Sequence, residues 1–153
     1  MNLTGLLDES AVRVPLEGLT TDEVIAELVE LLVRAGRVKN RDAVLAALYE
    51  REAKGSTGIG GGVAIPHARH ADIAGVVLAA GVSREGIEFF AADWEPVYVV
   101  FLLMGTPDRP ELNVEALADI AGIVQVPGLY AKLVNARDAT EMIKIIAEGQ
   151  QEQ

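Results

Sequence analysis

Hydrophobic residues recur at helical spacing in two early segments of the chain. After Thr20 or Thr21, either of which can cap a helix, apolar side chains follow at intervals of three and four residues. This spacing predicts an amphipathic helix. Asn40 is the expected cap of a second helix with the same period, which should stop near Gly55. The apolar positions are Val24, Ile25, Leu28, Leu31 and Leu32 in the first helix, and Val44, Leu45, Leu48 and Tyr49 in the second.

Four segments have the pattern of β-strands. Residues 12–16 alternate apolar and polar side chains, and their proline lacks an amide donor, which favours a position at the sheet edge. Residues 63–65 form a short apolar run that Pro66 ends. Longer strands are predicted over residues 75–82 and 97–104. The second of these is apolar throughout, as expected for a strand that is covered on both faces.

Helical patterns return in the last third of the chain. We predict one helix from Pro110 to Val124, a shorter one near residues 129–135, and a last one that Asp138 caps and that runs through Ala147. Strands and helices alternate with no internal repeat and no long linker. The sequence therefore predicts a single α/β domain over residues 1–153.

Composition and charge narrow the possible functions. Half of the 153 residues are hydrophobic and 24% are charged, which is typical of a globular domain. The longest apolar run, residues 97–104, is far shorter than the roughly 20 residues that span a bilayer, and no secretory signal is recognised. With no cysteine, disulfides and thiolate metal sites are excluded, and we expect a cytoplasmic location. The net charge of −10 disfavours binding to nucleic acid or to an anionic membrane.

A glycine-rich segment between the second helix and the next strand raises the question of nucleotide binding. Residues 55–62 contain five glycines. A P-loop would need Lys followed by Ser or Thr at its end, but Gly62 is followed by Val63. A dinucleotide-binding loop leads from a strand to a helix, whereas this loop has the opposite order. We therefore set nucleotide binding aside.

Hydrolase and metal chemistry have little support in the sequence. The Gly-x-Ser-x-Gly pattern of a nucleophile elbow is absent, because Ser56 lies in Gly-Ser-Thr-Gly. His67 and His70, followed by Asp72, are the only two histidines, and a catalytic zinc usually needs three protein ligands. Pro66 also places this segment in a turn rather than on a helical face. We assign no metal ligands.

One histidine remains, directly after the end of a strand and beside the glycine loop. A neutral imidazole at His67 could accept a phosphoryl group, with the loop amides and the hydroxyls of Ser56 and Thr57 as donors to the anion. Arg51 and Arg69 flank the region in sequence and could stabilise its charge. Spacing alone leaves a second interpretation open, in which His67 is a surface residue of a turn and the glycines serve only tight backbone geometry.

Longer stretches of the chain resemble a known family. Residues 50–60, which include Glu50-Arg51-Glu52 and Gly55-Ser56-Thr57-Gly58-Ile59-Gly60, and the run Val63-Ala64-Ile65-Pro66-His67-Ala68-Arg69 resemble the active-site signature of phosphotransferase-system EIIA domains of the fructose/mannitol/nitrogen type. Residues 12–16 and 81–89 are similar to other parts of the same family. The resemblance covers residues 2–147.

The resemblance implies a fold, an activity and partners. The fold would be a three-layer α/β sandwich, with a mixed sheet of about five strands and helices on both faces. His67 would take a phosphoryl group from the phosphohistidine of an HPr-like carrier and pass it to a IIB domain, without a metal or cofactor. In nitrogen-type members, phosphorylation mainly regulates binding to partner proteins. Arg51 would assist His67, and Ser56, Thr57 and Gly58 would line the phosphate site.

The sequence departs from the family pattern at one position. The family usually has a second histidine near the start of the helix that follows the last long strand. Aligning residues 117–121 with that helix puts Asn113 at this place. Asparagine can form hydrogen bonds to a phosphate or to the His67 ring but cannot carry a positive charge. His70 does not occupy this position, and we expect it to be a solvated turn residue.

Overall fold

The fold is described from a computed structural model of the chain, which covers residues 1–152. Two short 3-10 helices at Leu3–Gly5 and Glu9–Ala11 precede the main elements. The strands are β1 (Val12–Arg13), β2 (Gly58–Gly60), β3 (Val63–Ala64), β4 (His67–Arg69), β5 (Val76–Ile87) and β6 (Val97–Gly105). The helices are α1 (Thr21–Arg34), α2 (Arg41–Ala53), α3 (Pro110–Val124), α4 (Leu129–Val134) and α5 (Ala139–Gln151).

The strands form one mixed sheet with β6 at its centre. On one side, β5 pairs antiparallel with β6, and β1 runs parallel to β5 at the sheet edge. On the other side, β3 and β4 both run parallel to β6, one after the other along its length. β2 then pairs antiparallel with β3. Every residue of β6 except Tyr98 is buried, as its uninterrupted apolar sequence predicts.

Helices cover both faces of this sheet. α1 packs against α2 and β5. On the other face α3, α4 and α5 pack against one another, with α3 against β6, α4 against β5 and β6, and α5 against β1. The expected three-layer α/β architecture is therefore confirmed. None of the helices in residues 1–152 is long and apolar enough to cross a membrane.

Side-chain caps explain where three of the helices begin. Thr20 Oγ1 accepts a hydrogen bond from the Glu23 amide at 3.2 Å, and Asn40 Oδ1 accepts one from the Ala43 amide at 3.1 Å. Asp138 Oδ1 caps α5 through the Glu141 amide at 2.9 Å. Each bond satisfies an amide that has no partner within its helix. The predicted caps are confirmed, and the choice between Thr20 and Thr21 is resolved in favour of Thr20.

The strands differ from the sequence prediction in four respects. β1 ends at Arg13, before Pro15, rather than at residue 16. The glycine-rich segment is not wholly a loop, because residues 58–60 form β2. β5 extends to Ile87, beyond the predicted end at residue 82. Pro66 does not lead into a turn: the strand pairing resumes at His67 as β4, because the residues after the proline meet the carboxyl-terminal end of β6. Two residues, Ile65 and Pro66, interrupt the pairing with β6, and the chain does not reverse there.

Candidate functional site

His67 is held at the start of β4 by backbone and side-chain bonds. It lies opposite Leu103 of β6, and the Leu103 amide donates to the Pro66 carbonyl at 2.9 Å. The ring Nδ1 lies 2.7 Å from the Ile65 carbonyl oxygen. Because a carbonyl oxygen only accepts, this bond requires the hydrogen to be on Nδ1. The lone pair of the neutral ring is therefore on Nε2.

The half-buried His67 opens into a cavity between α2, β4 and the start of α3. The cavity has a volume of about 540 Å³. It brings together four residues that the sequence analysis singled out: His67, Arg51, Arg69 and Asn113. Its remaining lining residues are Ala47, Glu50, Lys54, Ala68 and Pro107. Three cationic side chains and one carboxylate thus surround His67, although the whole chain is strongly acidic.

Arg51 occupies the last turn of α2, and one end of its guanidinium is fixed. Its Nη1 donates to the Gly55 carbonyl at 2.8 Å. This bond anchors the side chain at the start of the glycine-rich segment. A guanidinium has five N–H donors, so Arg51 keeps further donors for an anion in the cavity.

A smaller groove of about 280 Å³ lies on another side of His67. Arg51 and His67 line this groove as well as the larger cavity, and Ser56, Thr57 and Gly58 also contribute. Its other walls are apolar, formed by Ile59, Ile65, Leu117 and Ala121. The four residues predicted around His67 from the segment between α2 and β3 therefore meet here, and His67 lies between a cationic cavity and a groove with apolar walls.

The hydroxyls of the glycine-rich segment are engaged within the protein. Thr57 is buried, and its Oγ1 and amide donate to the Glu52 carboxylate at 2.6 and 2.9 Å. Ser56 Oγ donates to the Phe89 carbonyl and accepts from the Gly58 amide at 3.0 Å. These bonds fix the shape of the segment. Both hydroxyl protons are donated within the protein, whereas the sequence analysis expected them to be donated to an anion.

We expect Glu52→Gln to destabilise the protein through this segment. The substitution replaces one carboxylate oxygen by an amide NH₂, which then faces a donor from Thr57. Loss of one charge-assisted hydrogen bond should lower the free energy of unfolding by about 2 kcal/mol. For a chain of this size, the melting temperature should fall by roughly 4–8 °C in a thermal unfolding experiment.

Glu50→Gln is the matched control for this prediction. Glu50 lies on the same helix, its side chain is 75% exposed, and its nearest cation is Lys54 at 3.9 Å. Its substitution should change the melting temperature by less than about 2 °C, because exposed ion pairs contribute little. Equal losses in the two variants would contradict a specific role for the Glu52–Thr57 bonds.

Asn113 lies in the first turn of α3 and connects that helix to β4. It is 7% exposed, and its Nδ2 donates to the Ala68 carbonyl at 3.4 Å. Its Oδ1 has no hydrogen-bond partner within residues 1–152. Asn113 lines the same cavity as His67. This location agrees with the sequence alignment, which put Asn113 where the family usually has a second histidine.

His70 is apart from this arrangement. It is half-buried, and its Nδ1 accepts a hydrogen bond from the Asp72 amide at 3.1 Å. It contributes to neither of the spaces that adjoin His67. The nearby Asp72 carboxylate lies 3.9 Å from the same nitrogen.

An exposed aromatic loop, residues 88–96, packs beside the glycine-rich segment. Phe90 and Trp94 are 66% and 73% exposed and have positive φ angles of 54° and 57°, which are uncommon for bulky residues. The Asp93 carboxylate ties the loop down, because it accepts from the Gly61 amide at 3.0 Å and from the Glu95 amide at 3.1 Å. These backbone bonds, that of Glu95 first, lower the pKa of Asp93.

A family profile matches nearly the whole chain. The profile described as "Phosphoenolpyruvate-dependent sugar phosphotransferase system, EIIA 2" matches residues 5–149. The chain belongs to this family. The match includes every residue that lines the two spaces around His67.

Curated relatives of this EIIA chain carry two kinds of name. It is 32% identical over 146 residues to the PTS system fructose-specific EIIABC component of Bacillus subtilis (strain 168), covering 95% of this chain but only 23% of that relative. It is 33% identical to the fructose-specific EIIA component of Haloferax volcanii, covering 84% of each chain. It is also 32% identical to the nitrogen regulatory protein of Bradyrhizobium diazoefficiens, covering 96% of this chain and 95% of that one.

Solved structures agree with the fold. The nitrogen regulatory protein IIA-Ntr of Neisseria meningitidis superposes with a TM-score of 0.87 at 29% identity, covering 95% of this chain and 99% of that one. The IIA component in a complex with phosphorylated enzyme IIB of the Escherichia coli mannitol system superposes with a TM-score of 0.79 at 16% identity, covering 93% and 97%. The second likeness shows the fold, and that complex shows that an EIIA domain of this fold associates with a IIB domain.

Proposed function

We propose that this EIIA chain is a phosphocarrier in which His67 accepts a phosphoryl group from an HPr-like protein and passes it to a IIB domain. The observation that carries the proposal is the bond from His67 Nδ1 to the Ile65 carbonyl at 2.7 Å. It holds the ring in the tautomer whose Nε2 has a free lone pair. It does so in a cavity that also contains cationic side chains.

The transfer is a direct exchange between two nitrogen atoms. The Nε2 lone pair of His67 forms a bond to phosphorus while the P–N bond of the donor phosphohistidine breaks. The bonding electron pair returns to the donor ring, which carries a hydrogen on its other nitrogen and therefore leaves as a neutral imidazole. His67 keeps its Nδ1 hydrogen on Ile65, so no proton has to move during the step. The protein's task is to position the two rings and to stabilise the phosphoryl charge.

The surrounding residues have distinct parts in this proposal. Arg51 donates to the phosphoryl oxygens with the N–H groups that Gly55 does not use. Ser56, Thr57 and Gly58 shape the groove beside the ring through their internal bonds. Asn113 holds β4 in place through the Ala68 carbonyl.

The apolar groove beside His67 suits a transient protein partner. Ile59 is 51% exposed and Val114, next to Asn113, is 66% exposed. Exposed apolar side chains around a reactive group are typical of the centre of a protein interface. The net charge of −10 favours encounter with a partner whose docking face is basic.

A second function is favoured by Asn113 and by the nitrogen regulatory relatives. In this alternative, the phosphorylation state of His67 controls binding to a regulatory target protein. A neutral residue at position 113 supplies no positive charge, so the phosphoryl group would turn over more slowly and persist longer as a signal. The same nucleophile and the same donor serve both functions.

Phosphoryl transfer in a reconstituted system tests the proposal. The protein is incubated with phosphoenolpyruvate, enzyme I and HPr, and peptide mapping at neutral pH locates the acid-labile phosphate. We expect one phosphoryl group, on His67. A wild-type protein that takes up no phosphate would overturn the proposal. Rapid passage of the label to an added IIB domain would support the carrier, and a label that stays on His67 would support the regulatory alternative.

A further inference from the structure

The geometry points to Arg69 as the residue that contributes a mobile cation to the phosphoryl group on His67. This inference rests on the proposed function of His67. Side chains alternate between the two faces of a strand, so His67 and Arg69, two residues apart on β4, project from the same face. Both line the cavity of about 540 Å³. The strand therefore places both side chains on the side of β4 that faces the cavity.

Arg69 differs from the other two cations of the cavity because nothing engages its charge. Within residues 1–152, its side chain has no carboxylate within 4.0 Å and no hydrogen bond. In contrast, Arg51 donates to the Gly55 carbonyl, and the ammonium of Lys54 lies 3.9 Å from the Glu50 carboxylate. Arg69 is exposed and anchored only through its backbone, so its side chain is free to reach an incoming anion.

The charges around the site disfavour a phosphoryl anion unless a further cation stabilises it. The chain carries a net charge of −10, and Glu50 adds a carboxylate to the cavity wall. A phosphoryl dianion would enter this field at a cost, and the neutral Asn113 cannot offset it. A guanidinium can bind two phosphoryl oxygens at once, and it stays protonated at every pH of interest.

Arg69 thus acts on the phosphoryl group rather than on the imidazole. When the His67 Nε2 lone pair forms its bond to phosphorus and the electron pair of the breaking bond leaves with the donor, the negative charge stays on the three phosphoryl oxygens. Arg69 donates to these oxygens during the transfer and in the product. The residue should therefore affect both the rate of uptake and the lifetime of the phosphohistidine.

A small phosphoryl donor tests this role without a protein partner. Purified protein is incubated with phosphoramidate, whose P–N bond breaks with release of ammonia, and His67 labelling is followed by intact mass. We expect Arg69→Gln to lower the second-order rate constant of labelling about tenfold, since an exposed charge-assisted hydrogen bond to the phosphoryl group is lost. Arg69→Lys keeps the charge but not the bidentate geometry, so its labelling rate constant should be about threefold lower than that of the wild type.

Two control variants separate this effect from general ones. Arg34→Gln removes an equal charge from a side chain that is 71% exposed and that lines none of the spaces near His67, and it should react at the wild-type rate. Lys54→Gln removes a cation of the same cavity that already lies close to a carboxylate. Its labelling rate should therefore fall less than that of Arg69→Gln. High salt should narrow the difference between wild type and Arg69→Gln, because salt screens an exposed charge.

The possible outcomes are distinguishable. A wild-type protein that neither phosphoramidate nor phospho-HPr can label would overturn the function proposed for His67 and, with it, the role of Arg69. If only phospho-HPr labels the wild type, the same variants are compared with that donor. A labelled wild type with Arg69→Gln equal to Arg34→Gln would overturn the role of Arg69 alone. Should Arg69→Gln lose its fold by circular dichroism, Arg69→Lys decides the question: a rate equal to wild type in both low and high salt would contradict the inference.

Discussion

His67→Asn should reduce phosphoryl uptake at least about a thousandfold relative to the wild-type protein and should keep the fold. Asparagine lacks an atom that corresponds to Nε2, so the nucleophile is gone. Its amide nitrogen can still donate to the Ile65 carbonyl, the bond that holds the histidine ring. The measurement is the amount of acid-labile phosphate transferred from phospho-HPr, with the melting temperature recorded for the same preparation.

His70→Asn is the matched control, because it makes the same substitution at the other histidine of the chain. His70 lines neither space around His67, so uptake should stay within about twofold of wild type. Persistent labelling of His67→Asn would show that another residue is the acceptor and would refute the assignment. Loss of labelling in His70→Asn would show that both histidines are needed.

Gly105→Ala should cause the largest loss of stability among single methyl additions near the site. Gly105 ends β6, where it pairs with Arg69 of β4 and Val76 of β5. A Cβ atom there would lie 1.7 Å from Asn113 Oδ1 and 2.7 Å from its Cγ, far inside van der Waals contact. Overpacking of this kind costs about 3 kcal/mol, so the melting temperature should fall by roughly 6–12 °C.

The double variant Gly105→Ala/Asn113→Ala checks that this loss comes from the clash. Removing the Asn113 amide also removes the atoms that the new methyl group would meet. The double variant should therefore be more stable than Gly105→Ala, a non-additive result that a double-mutant cycle measures. Additive losses would mean that the methyl group disturbs β6 in some other way.

The helices could be predicted from the sequence because their signals are local. Thr20, Asn40 and Asp138 cap amides only three residues ahead, and the apolar stripes repeat within single segments. The short strands β2 and β4 gave no such signal. Each has three residues, and each exists because a distant part of the chain offers its backbone groups.

The candidate site was predictable where its residues are close in sequence. Arg51, the glycine-rich segment and His67 lie within 17 consecutive residues, and the structure brings them together. Asn113 was found only through the resemblance, because α3 brings it to His67 from across the chain. Lys54 carried no sequence signal. The internal use of the Ser56 and Thr57 hydroxyls also depends on tertiary contacts, among them the Phe89 carbonyl 33 residues away.

Trp94 makes the protein suited to one optical measurement and unsuited to another. It is the only tryptophan in the chain, and at 73% exposure its indole is already largely in water. Its fluorescence should therefore change little on unfolding, and the melting temperatures above are better followed by far-ultraviolet circular dichroism. A partner that covers the aromatic loop would instead move the indole into an apolar environment, so a blue shift of the emission would report docking at this side of the glycine-rich segment.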